Sequence, residues 1–336
     1  MKLRKLRQQN STFLKKGVKF ILLSLFFPVF LLSDAHIFVY HRFGDDRHPS
    51  TNTSIKELKK EFDYFKEKGY KVIKLSALIE AIKSHKKIDD KWVVLTIDDN
   101  FKSFYKNGFA IFKKYNYPFS LFVYVKSTEK KYPDYTSWKE LKDIAKYGDV
   151  EFHSYSHPHM THKSDDFLRK DFKKGLKLFE KHMGYKPKYF AYPYGEFDDR
   201  VKNVSKEFGF EAILAQNIGA VSNKSDIFSL DRNALTGKAH LVRDLRYKHL
   251  DLKWISPKNF PKNGILKQIT AQLDTNKTVK VGCYITGFGW REVTAKNGFI
   301  DTKIDKKLQN GRNRVVLSVK HKIYTKLLIK DKYERK

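Results

Sequence analysis

The sequence is organised around Val93-Val94-Leu95-Thr96-Ile97-Asp98-Asp99-Asn100, an apolar, β-branched run that ends in two adjacent carboxylates. Such a run predicts a buried strand, and reactive groups in α/β sheets gather where strands end. Neighbouring side chains of an extended chain point to opposite sides, so Asp98 and Asp99 are predicted to have two roles, one binding a cation and one handling a proton. Turn or helix-cap chemistry is the alternative for such a pair on its own.

Strand-like and helix-like segments alternate on both sides of this run. Strands are predicted near residues 37–41, 71–75, 92–98, 119–125, 149–154, 188–193 and 211–216, and helices near 55–68, 76–86, 103–115, 137–147, 165–183 and 198–208. These spacings suit parallel βα repeats, and both a barrel and a doubly wound sheet fit them. The sequence therefore predicts an α/β domain over residues 36–248.

From about residue 250 the pattern changes to short alternating strands. Turn signals typical of hairpins separate them, at Asn263-Gly264, Asn297-Gly298 and Asn310-Gly311. Residues 249–336 are therefore predicted to form a small all-β, sandwich-like domain. Three aromatic residues of this part, Tyr284, Phe288 and Trp290, are assigned to its core, with stacking on sugar rings as the alternative. Because it contains no metal-type cluster, this domain is expected to engage polymer and not to take part in chemistry.

The first 35 residues have the pattern of a secretory signal peptide. Basic residues lead into the apolar stretch 20–32, and Ser33-Asp34-Ala35 follows as a small-x-small cleavage signal. Cleavage is expected after Ala35, with export to the periplasm or cell surface. The alternative is an uncleaved membrane anchor, although the apolar stretch is short for a membrane span.

The chain is strongly basic, with a formal net charge of +31. Its lysines are spread along the whole sequence without a long basic block, which favours a cationic surface in contact with an anionic cell envelope over nucleic-acid binding. Cys283 is the only cysteine, so no intramolecular disulfide can form. Its alternation with Val281 and Ile285 predicts a core position. The sequence carries no signal for an oligomeric state.

A second polar stretch follows a predicted strand at residues 150–159, Val-Glu-Phe-His-Ser-Tyr-Ser-His-Pro-His. If the chain turns helically after His153, the imidazoles of His153 and His157 project from one side and can grip one cation. Two histidines and an upstream strand-end carboxylate make a site with open positions, which is typical of a hydrolytic metal centre. A polar surface loop is the alternative.

A third stretch, Phe190-Ala191-Tyr192-Pro193-Tyr194-Gly195, ends a further predicted strand. Proline and glycine bracket a tight turn, which can aim a backbone N–H at a developing oxyanion. His41 ends the first strand after an apolar run, and it should open onto the same rim as the other strand-end residues. Structural roles are the alternative for both the turn and the histidine.

Together the three stretches resemble the polysaccharide deacetylase family, the NodB-homology group also called carbohydrate esterase family 4. Thr96-Ile97-Asp98-Asp99-Asn100 is similar to its threonine-phenylalanine-Asp-Asp-Gly motif, residues 153–158 to its His-Ser-x-x-His-Pro motif, and residues 191–195 to its Arg-x-Pro-Tyr-Gly motif. The resemblance covers about residues 36–235. It implies a distorted (β/α)7 barrel and the removal of N-acetyl groups from an acetylated amino-sugar polysaccharide.

The resemblance also implies roles for particular residues. Asp99, His153 and His157 would hold a divalent metal, expected to be zinc. Asp98 would act as the general base, and the N–H of Tyr194 would stabilise the oxyanion. The general acid is expected to be His41, with His240 as the alternative from a late leucine-x-His motif.

Two departures from the family pattern matter. Asn100 replaces a turn glycine, which asparagine can tolerate because it accepts left-handed backbone angles. Ala191 replaces the arginine that braces the catalytic aspartate, so that support must come from elsewhere. Together with the stretch 39–43 and the added β domain, the chain looks like the branch of poly-N-acetylglucosamine deacetylases of biofilm matrix. A peptidoglycan deacetylase, an O-acetyl esterase and a non-catalytic polysaccharide-binding protein of this fold remain as alternatives.

Overall fold

The computed structural model describes residues 34–237 and 239–330. The predicted signal peptide therefore lies outside the described residues, apart from Asp34 and Ala35. Among the described residues, no helix is both long enough and apolar enough to cross a membrane.

The strands of the first half build one parallel sheet, and two of them make a small separate pair. In chain order they are β1 (His36–Tyr40), β2 (Arg42–Phe43), β3 (Asn52–Thr53), β4 (Lys71–Val72), β5 (Trp92–Asp98), β6 (Ser120–Val123), β7 (Asp149–Phe152), β8 (Tyr189–Ala191), β9 (Ala212–Leu214) and β10 (Asn233–Ala234). The hydrogen-bonded order is β10-β1-β5-β6-β7-β8-β9, and β4 pairs with the start of β5. All these pairs are parallel. Within the described residues β9 and β10 are not paired, so the curved sheet stays open on one side, as in the predicted distorted barrel.

Helices connect these strands and cover the sheet. They are α1 (Ile55–Glu67), α2 (Leu75–Lys83), α3 (Phe109–Tyr115), α4 (Val125–Glu129), α5 (Trp138–Ile144), α6 (Asp165–Met183), α7 (Asp199–Lys206) and α8 (Leu241–Asp244), with a π-helical turn at Phe104–Gly108 ahead of α3. Four begin at a side chain that accepts a backbone N–H, those of Ser54, Ser137, Ser164 and Asp198. These caps satisfy N–H groups that the first helical turn leaves free, which explains why the predicted helix starts agree with the structure within about two residues.

Burial explains why β5 lies near the middle of the sheet. Its residues from Val93 to Asp98 are all buried, with β1 on one side and β6 on the other. Phenylalanine and tyrosine rings from α1 and α3 pack on the same apolar cluster as β1 and β5. Because the strands are parallel, their carboxyl ends meet at one edge, and this edge carries the polar residues that follow β1, β5, β7 and β8.

The second half forms an eight-stranded sheet. Its strands are β11 (Lys248–His249), β12 (Leu252–Ser256), β13 (Ile265–Leu273), β14 (Val279–Ile285), β15 (Gly289–Lys296), β16 (Phe299–Lys307), β17 (Arg312–Val319) and β18 (Lys322–Ile329), in the order β11-β18-β17-β14-β15-β16-β13-β12. β15 and β16 pair only beside their turn, at two residue pairs. The sheet can therefore fold over there, and residues of β13 and β17 share one apolar core, as the predicted sandwich-like architecture requires. The domain boundary at residue 248 stays a prediction.

Two details of this half differ from the sequence prediction. Cys283 is buried, as predicted, but Trp290 and Phe288 are 61% and 38% exposed. They lie at the β14–β15 hairpin, where residues alternate between the core and the solvent face, so placing them in the core was wrong. In this half, strands were predicted only near residues 265–273, 279–286, 291–295, 299–304 and 314–319, so β11, β12 and β18 were missed. Of these, β18 pairs with β17 over eight residue pairs.

The residues just before β1 are built into the fold. Ala35 is fully buried and exchanges two backbone hydrogen bonds with Val221, of 2.9 and 2.8 Å. Oδ2 of Asp34 accepts the N–H of His249 at 2.9 Å, which ties the start of the parallel sheet to β11. A chain cut after Ala35 would lack these three bonds.

We expect a chain of residues 36–336 to be less stable than one of residues 33–336. Loss of the three bonds, which leaves the N–H of His249 and the backbone of Val221 without these partners, should lower the free energy of unfolding by about 1–3 kcal/mol. Urea unfolding of the two chains measures the difference, and Asp34→Ala in the longer chain isolates the side-chain bond. Equal unfolding midpoints would contradict the role of these residues, and N-terminal sequencing of the exported protein would show where the chain is cut.

Candidate active site

The carboxylates of Asp98 and Asp99 both lie near His153, but the backbone conformation that places them there is not the predicted one. Asp98 is the last residue of β5, and Asp99 and Asn100 have left-handed backbone conformations with φ of 71° and 45°. The strand-like alternation assumed for the pair is therefore wrong, because the chain turns sharply at Asp99. Both carboxylates approach Nε2 of His153, Asp98 at 3.9 Å and Asp99 at 3.5 Å.

The structure brings His153 and His157 together. His153 directly follows β7, and the chain continues as an irregular loop in which Ser154 and His157 are left-handed, with φ of 68° and 50°. The helical turn assumed for this stretch is absent from the described loop, yet the two Nε2 atoms lie only 3.2 Å apart. Nε2 of His157 is also 3.0 Å from Oδ1 of Asp99.

These three side chains form a set of donors suited to a divalent metal. One ligand atom from each of Asp99, His153 and His157 lies within 4.8 Å of the others. The pairwise separations of 3.0, 3.2 and 3.5 Å match those of ligands that each stand about 2.0–2.2 Å from one ion. Oδ1 of Asp99 is buried and makes no well-formed hydrogen bond with the described residues. The donors therefore fit a metal.

A hydrogen bond to the backbone determines which ring nitrogen of His153 carries the proton. Its Nδ1 lies 2.7 Å from the carbonyl oxygen of Ala191. Because a carbonyl can only accept, Nδ1 must carry the proton, and Nε2 presents its lone pair to the Asp99 side of the site. Burial lowers the pKa of His153 to about 4, so the imidazole is neutral at pH 7, as a metal ligand must be.

Asp171 of α6, which the sequence analysis did not single out, holds the histidine loop. Its carboxylate accepts the N–H groups of Tyr155 and Ser156 at 2.9 and 3.0 Å, as well as the hydroxyl of Ser156. The hydroxyl of Ser154 accepts the N–H of His157 at 2.8 Å. These bonds stabilise the two left-handed residues and so set the spacing of the histidines.

Arg232 supplies the brace that Ala191 does not. Its guanidinium is fully buried and binds Asp98 with two parallel hydrogen bonds, Nη1 to Oδ1 at 2.8 Å and Nη2 to Oδ2 at 2.7 Å. Nε donates to the carbonyl oxygen of Ala215 at 2.7 Å, which fixes the plane of the group. The sequence analysis missed Arg232, because its only signal is a charged residue between the apolar Leu230 and Leu235.

The bidentate pair decides the charge of Asp98. Burial raises the pKa of Asp98, but the Arg232 guanidinium, acting together with the neighbouring histidines, holds this pKa below its usual value. Asp98 is therefore ionised at neutral pH and can accept a proton or a hydrogen bond.

Asn100 does more than tolerate a turn position. Its side chain is fully buried and donates to the hydroxyls of Thr128 and Thr136, both at 3.0 Å. Its Oδ1 accepts the N–H of Tyr124 at 2.8 Å. A glycine could make none of these three bonds, so Asn100 ties the end of β5 to α4 and to the segments on either side of that helix.

The third predicted stretch forms a tight turn beside His157. Residues Pro193–Gly195 make one 3₁₀ turn, in which Tyr194 is left-handed with φ of 60°. The N–H groups of Gly195 and Glu196 bond within the turn, and neither bond uses the N–H of Tyr194. The Tyr194 ring packs edge-on against His157 and stacks on His159 with centroids 4.0 Å apart. The turn therefore borders the metal-ligand set.

The two candidate acids lie in different surroundings. His41 directly follows β1, which pairs with β5 up to Tyr40 and Ile97, so it lies at the rim beside Asp98. Its protonated form would lower the pKa values of Asp98 and Asp99, and its Nδ1 is buried without a hydrogen bond to any described residue. His240 is exposed ahead of α8, and the carboxylate that it influences is that of Asp244.

Comparison with known proteins shows which families and folds the chain is similar to. Residues 85–213 match the model of the polysaccharide deacetylase family. A poly-beta-1,6-N-acetyl-D-glucosamine N-deacetylase of Staphylococcus aureus is 28% identical over 208 residues, which cover 58% of this chain and 63% of that protein. The match thus spans less than two thirds of the relative.

Solved structures show the same fold at low sequence identity. The deacetylase PplD of Streptococcus pyogenes, solved with acetate, superposes with a TM-score of 0.58 at 19% identity, over 63% of this chain and 96% of that one. IcaB of Ammonifex degensii gives a TM-score of 0.53 at 22% identity, over 61% and 92%. The family model, the fold and the motif order agree that this chain is similar to the polysaccharide deacetylase family, over residues 85–213 of its sequence.

Proposed function

We propose that this protein is a metal-dependent hydrolase that removes N-acetyl groups from an acetylated amino-sugar polysaccharide, such as poly-N-acetylglucosamine. The observation that carries the proposal is the convergence of Asp99, His153 and His157 beside an ionised, braced Asp98. A non-catalytic binding protein would have no need for a neutral histidine aimed at a carboxylate, or for a buried arginine that keeps a second carboxylate charged.

Each residue of the site has a place in amide hydrolysis. Asp99, His153 and His157 would hold the cation, with Zn²⁺ proposed because two imidazoles and one carboxylate are ligands that it prefers. When bound, the cation would lower the pKa of a water molecule and polarise the acetamide carbonyl. Asp98 would take the proton of the attacking water as general base. The N–H of Tyr194 would donate to the oxyanion that develops on the former carbonyl oxygen.

The leaving amine needs a proton, and we propose His41 as its donor. His41 lies on the rim beside Asp98 and can approach a sugar nitrogen from the side of β1. His240 is exposed, and the carboxylate that it influences is that of Asp244 on α8.

The choice of polysaccharide is supported by the staphylococcal relative and by the walls of the site. Tyr124 packs against His157 with ring centroids 5.4 Å apart, and Tyr135 packs edge-on against Tyr124. Aromatic rings of this kind suit the apolar faces of sugar rings. We further propose that the protein is exported and works at the cell envelope, where its positive charge favours contact with anionic polymers.

Acetate release tests the proposed function. The metal-loaded full-length protein is incubated with poly-N-acetylglucosamine, peptidoglycan and acetylated xylan, and free acetate is measured. The fastest release is expected from poly-N-acetylglucosamine. Preference for peptidoglycan or for xylan would assign the protein to one of the alternative activities, and release from none of the three would contradict an enzymatic role.

Substitution of the proposed ligands should remove the metal, whereas substitution of Asp98 should lower turnover and leave the metal bound. The double variant His153→Ala/His157→Ala should lose bound metal, because two of three ligands are gone. Asp98→Asn should keep stoichiometric metal while turnover falls by about 10²–10⁴-fold, the range for losing a general base. Elemental analysis after dialysis gives the stoichiometry, and His162→Ala serves as the control for loss of a nearby half-buried histidine. Full metal content in the double variant would disprove the ligand assignment.

Arg232→Ala should destabilise the protein strongly, because it leaves a buried carboxylate without its partner. The expected loss is about 3–5 kcal/mol of unfolding free energy in metal-stripped protein, measured by urea unfolding. In the double variant Arg232→Ala/Asp98→Asn the buried charge is gone, so it should be more stable than Arg232→Ala alone. An Arg232→Ala protein as stable as the wild type would show that the pair does not hold the site.

His41→Ala should leave metal affinity close to the wild-type value and lower turnover by about 10²–10⁴-fold, as expected for a lost general acid. His240→Ala should be nearly neutral in both measurements. Steady-state kinetics and a metal titration on each variant check this. If instead His240→Ala were the inactive variant, the acid would come from the loop before α8.

A further inference from the structure

One contact joins the C-terminal sheet directly to the turn beside the metal ligands. Arg312, the first residue of β17, donates from Nη1 to the carbonyl oxygen of Tyr194 at 2.9 Å. From Nη2 it donates to the carbonyl oxygen of Gln216 at 3.4 Å. One guanidinium therefore bridges the turn after β8 and the segment after β9, both of which belong to the parallel-sheet half.

Arg312 binds a turn whose backbone conformation is strained. Tyr194 is left-handed, a conformation that a residue with a Cβ atom rarely adopts. Gly195 is also left-handed, with φ of 64°, and a Cβ atom there would collide with the backbone nitrogen and Cβ of Gln216. The turn is thus strained and pressed closely against Gln216, on the side where Arg312 binds both carbonyl groups.

The carbonyl and the N–H of Tyr194 are linked through the φ and ψ angles of a single residue. The N–H of Gly195 bonds to the carbonyl oxygen of Tyr192 at 2.7 Å and closes the turn from inside, while Arg312 holds the Tyr194 carbonyl from outside. With the carbonyl direction fixed and the turn closed, Tyr194 has little freedom to relax towards a right-handed conformation. Such relaxation would swing its N–H away from its present direction.

The surroundings of Arg312 are those of a fixed group and not of a mobile surface side chain. The residue is half-buried, and its Nε is buried without a partner among the described residues. Burial lowers the pKa of Arg312 to about 10, so it is still a cation at neutral pH. A cationic donor on a carbonyl oxygen makes a stronger bond than a neutral donor.

We propose that Arg312 is a positioning residue for the deacetylation reaction, which holds the Tyr194 turn so that its N–H points at the oxyanion. This inference rests on the proposed function of Tyr194. It gives the C-terminal sheet a part in the chemistry, whereas the sequence predicted only a part in polymer engagement.

The test compares two arginines of the same strand in the full-length, metal-loaded protein. Arg312→Ala and Arg312→Lys remove or weaken the contact. Arg314→Ala is the matched control, because Arg314 is also half-buried on β17 and, within the described part of the chain, its Nε makes no hydrogen bond. The kinetics use a short soluble N-acetylglucosamine oligomer, so that polymer engagement does not limit the rate. Hydrogen exchange of the peptide that covers residues 192–197 is measured on the same samples, and unfolding temperatures check that each variant folds.

Arg312→Ala should lower kcat by about 10- to 100-fold, the range for a displaced oxyanion donor, with KM changed by less than about twofold. Arg312→Lys, which keeps one cationic donor, should fall between Arg312→Ala and the wild type. Exchange of residues 192–197 should become faster in the Arg312 variants only. Metal content should be unchanged throughout, and Arg314→Ala should keep kcat within about twofold of the wild type.

An Arg312→Ala protein with wild-type kcat and exchange would overturn the inference, as would an equal loss in Arg314→Ala. If Arg312→Ala does not fold, Arg312→Lys against Arg314→Lys decides in the same way. These results would leave the proposed function standing, provided that the wild type releases acetate. Absence of acetate release from the wild type would instead remove the proposed function and this inference with it.

Discussion

The buried ion pair between Asp98 and Arg232 is the interaction on which the rest of the site depends. Two charges without water are stable only when each satisfies the other, and here the guanidinium meets both carboxylate oxygens while its Nε bonds to Ala215. The pair fixes the end of β5 against the segment that precedes β10. Since β5 lies next to β1 and β6, the position of Asp98 also sets where Asp99 turns and where His41 comes to lie.

Backbone strain is concentrated at the same edge. Five residues with side chains adopt left-handed conformations there: Asp99, Asn100, Ser154, His157 and Tyr194. Each such residue costs of order 1–3 kcal/mol unless its neighbours hold it in place. Asp171 and Arg312 bind the turns that carry Ser154, His157 and Tyr194, and the side chain of Asn100 accepts the N–H of Tyr124, so hydrogen bonds hold the left-handed residues in place.

The sequence predicted the parallel sheet and most of its helices, because apolar periodicity and caps are local signals. It also named the residues that converge, through the similarity of their motifs to one family. It could not predict why they converge: the alternation assumed for Asp98 and Asp99, and the helical turn assumed after His153, are both replaced by left-handed turns. Arg232 and Arg312 were missed because each acts across more than 100 residues of chain, on Asp98 and Tyr194, and no short pattern marks such a partner.

The position of Arg312 in the chain has a consequence for the order in which the protein matures. Asp99, His153 and His157 lie within 59 residues, and Arg232, which holds Asp98, also precedes the C-terminal sheet. Arg312 follows Tyr194 by 118 residues and enters its strand only when β17 pairs with its neighbours. Synthesis and translocation deliver the chain from its N-terminus. Asp99, His153 and His157 can therefore come together before Arg312 binds the Tyr194 turn beside them. The turn that carries Tyr194 is therefore held in its final position only when the last strands have folded.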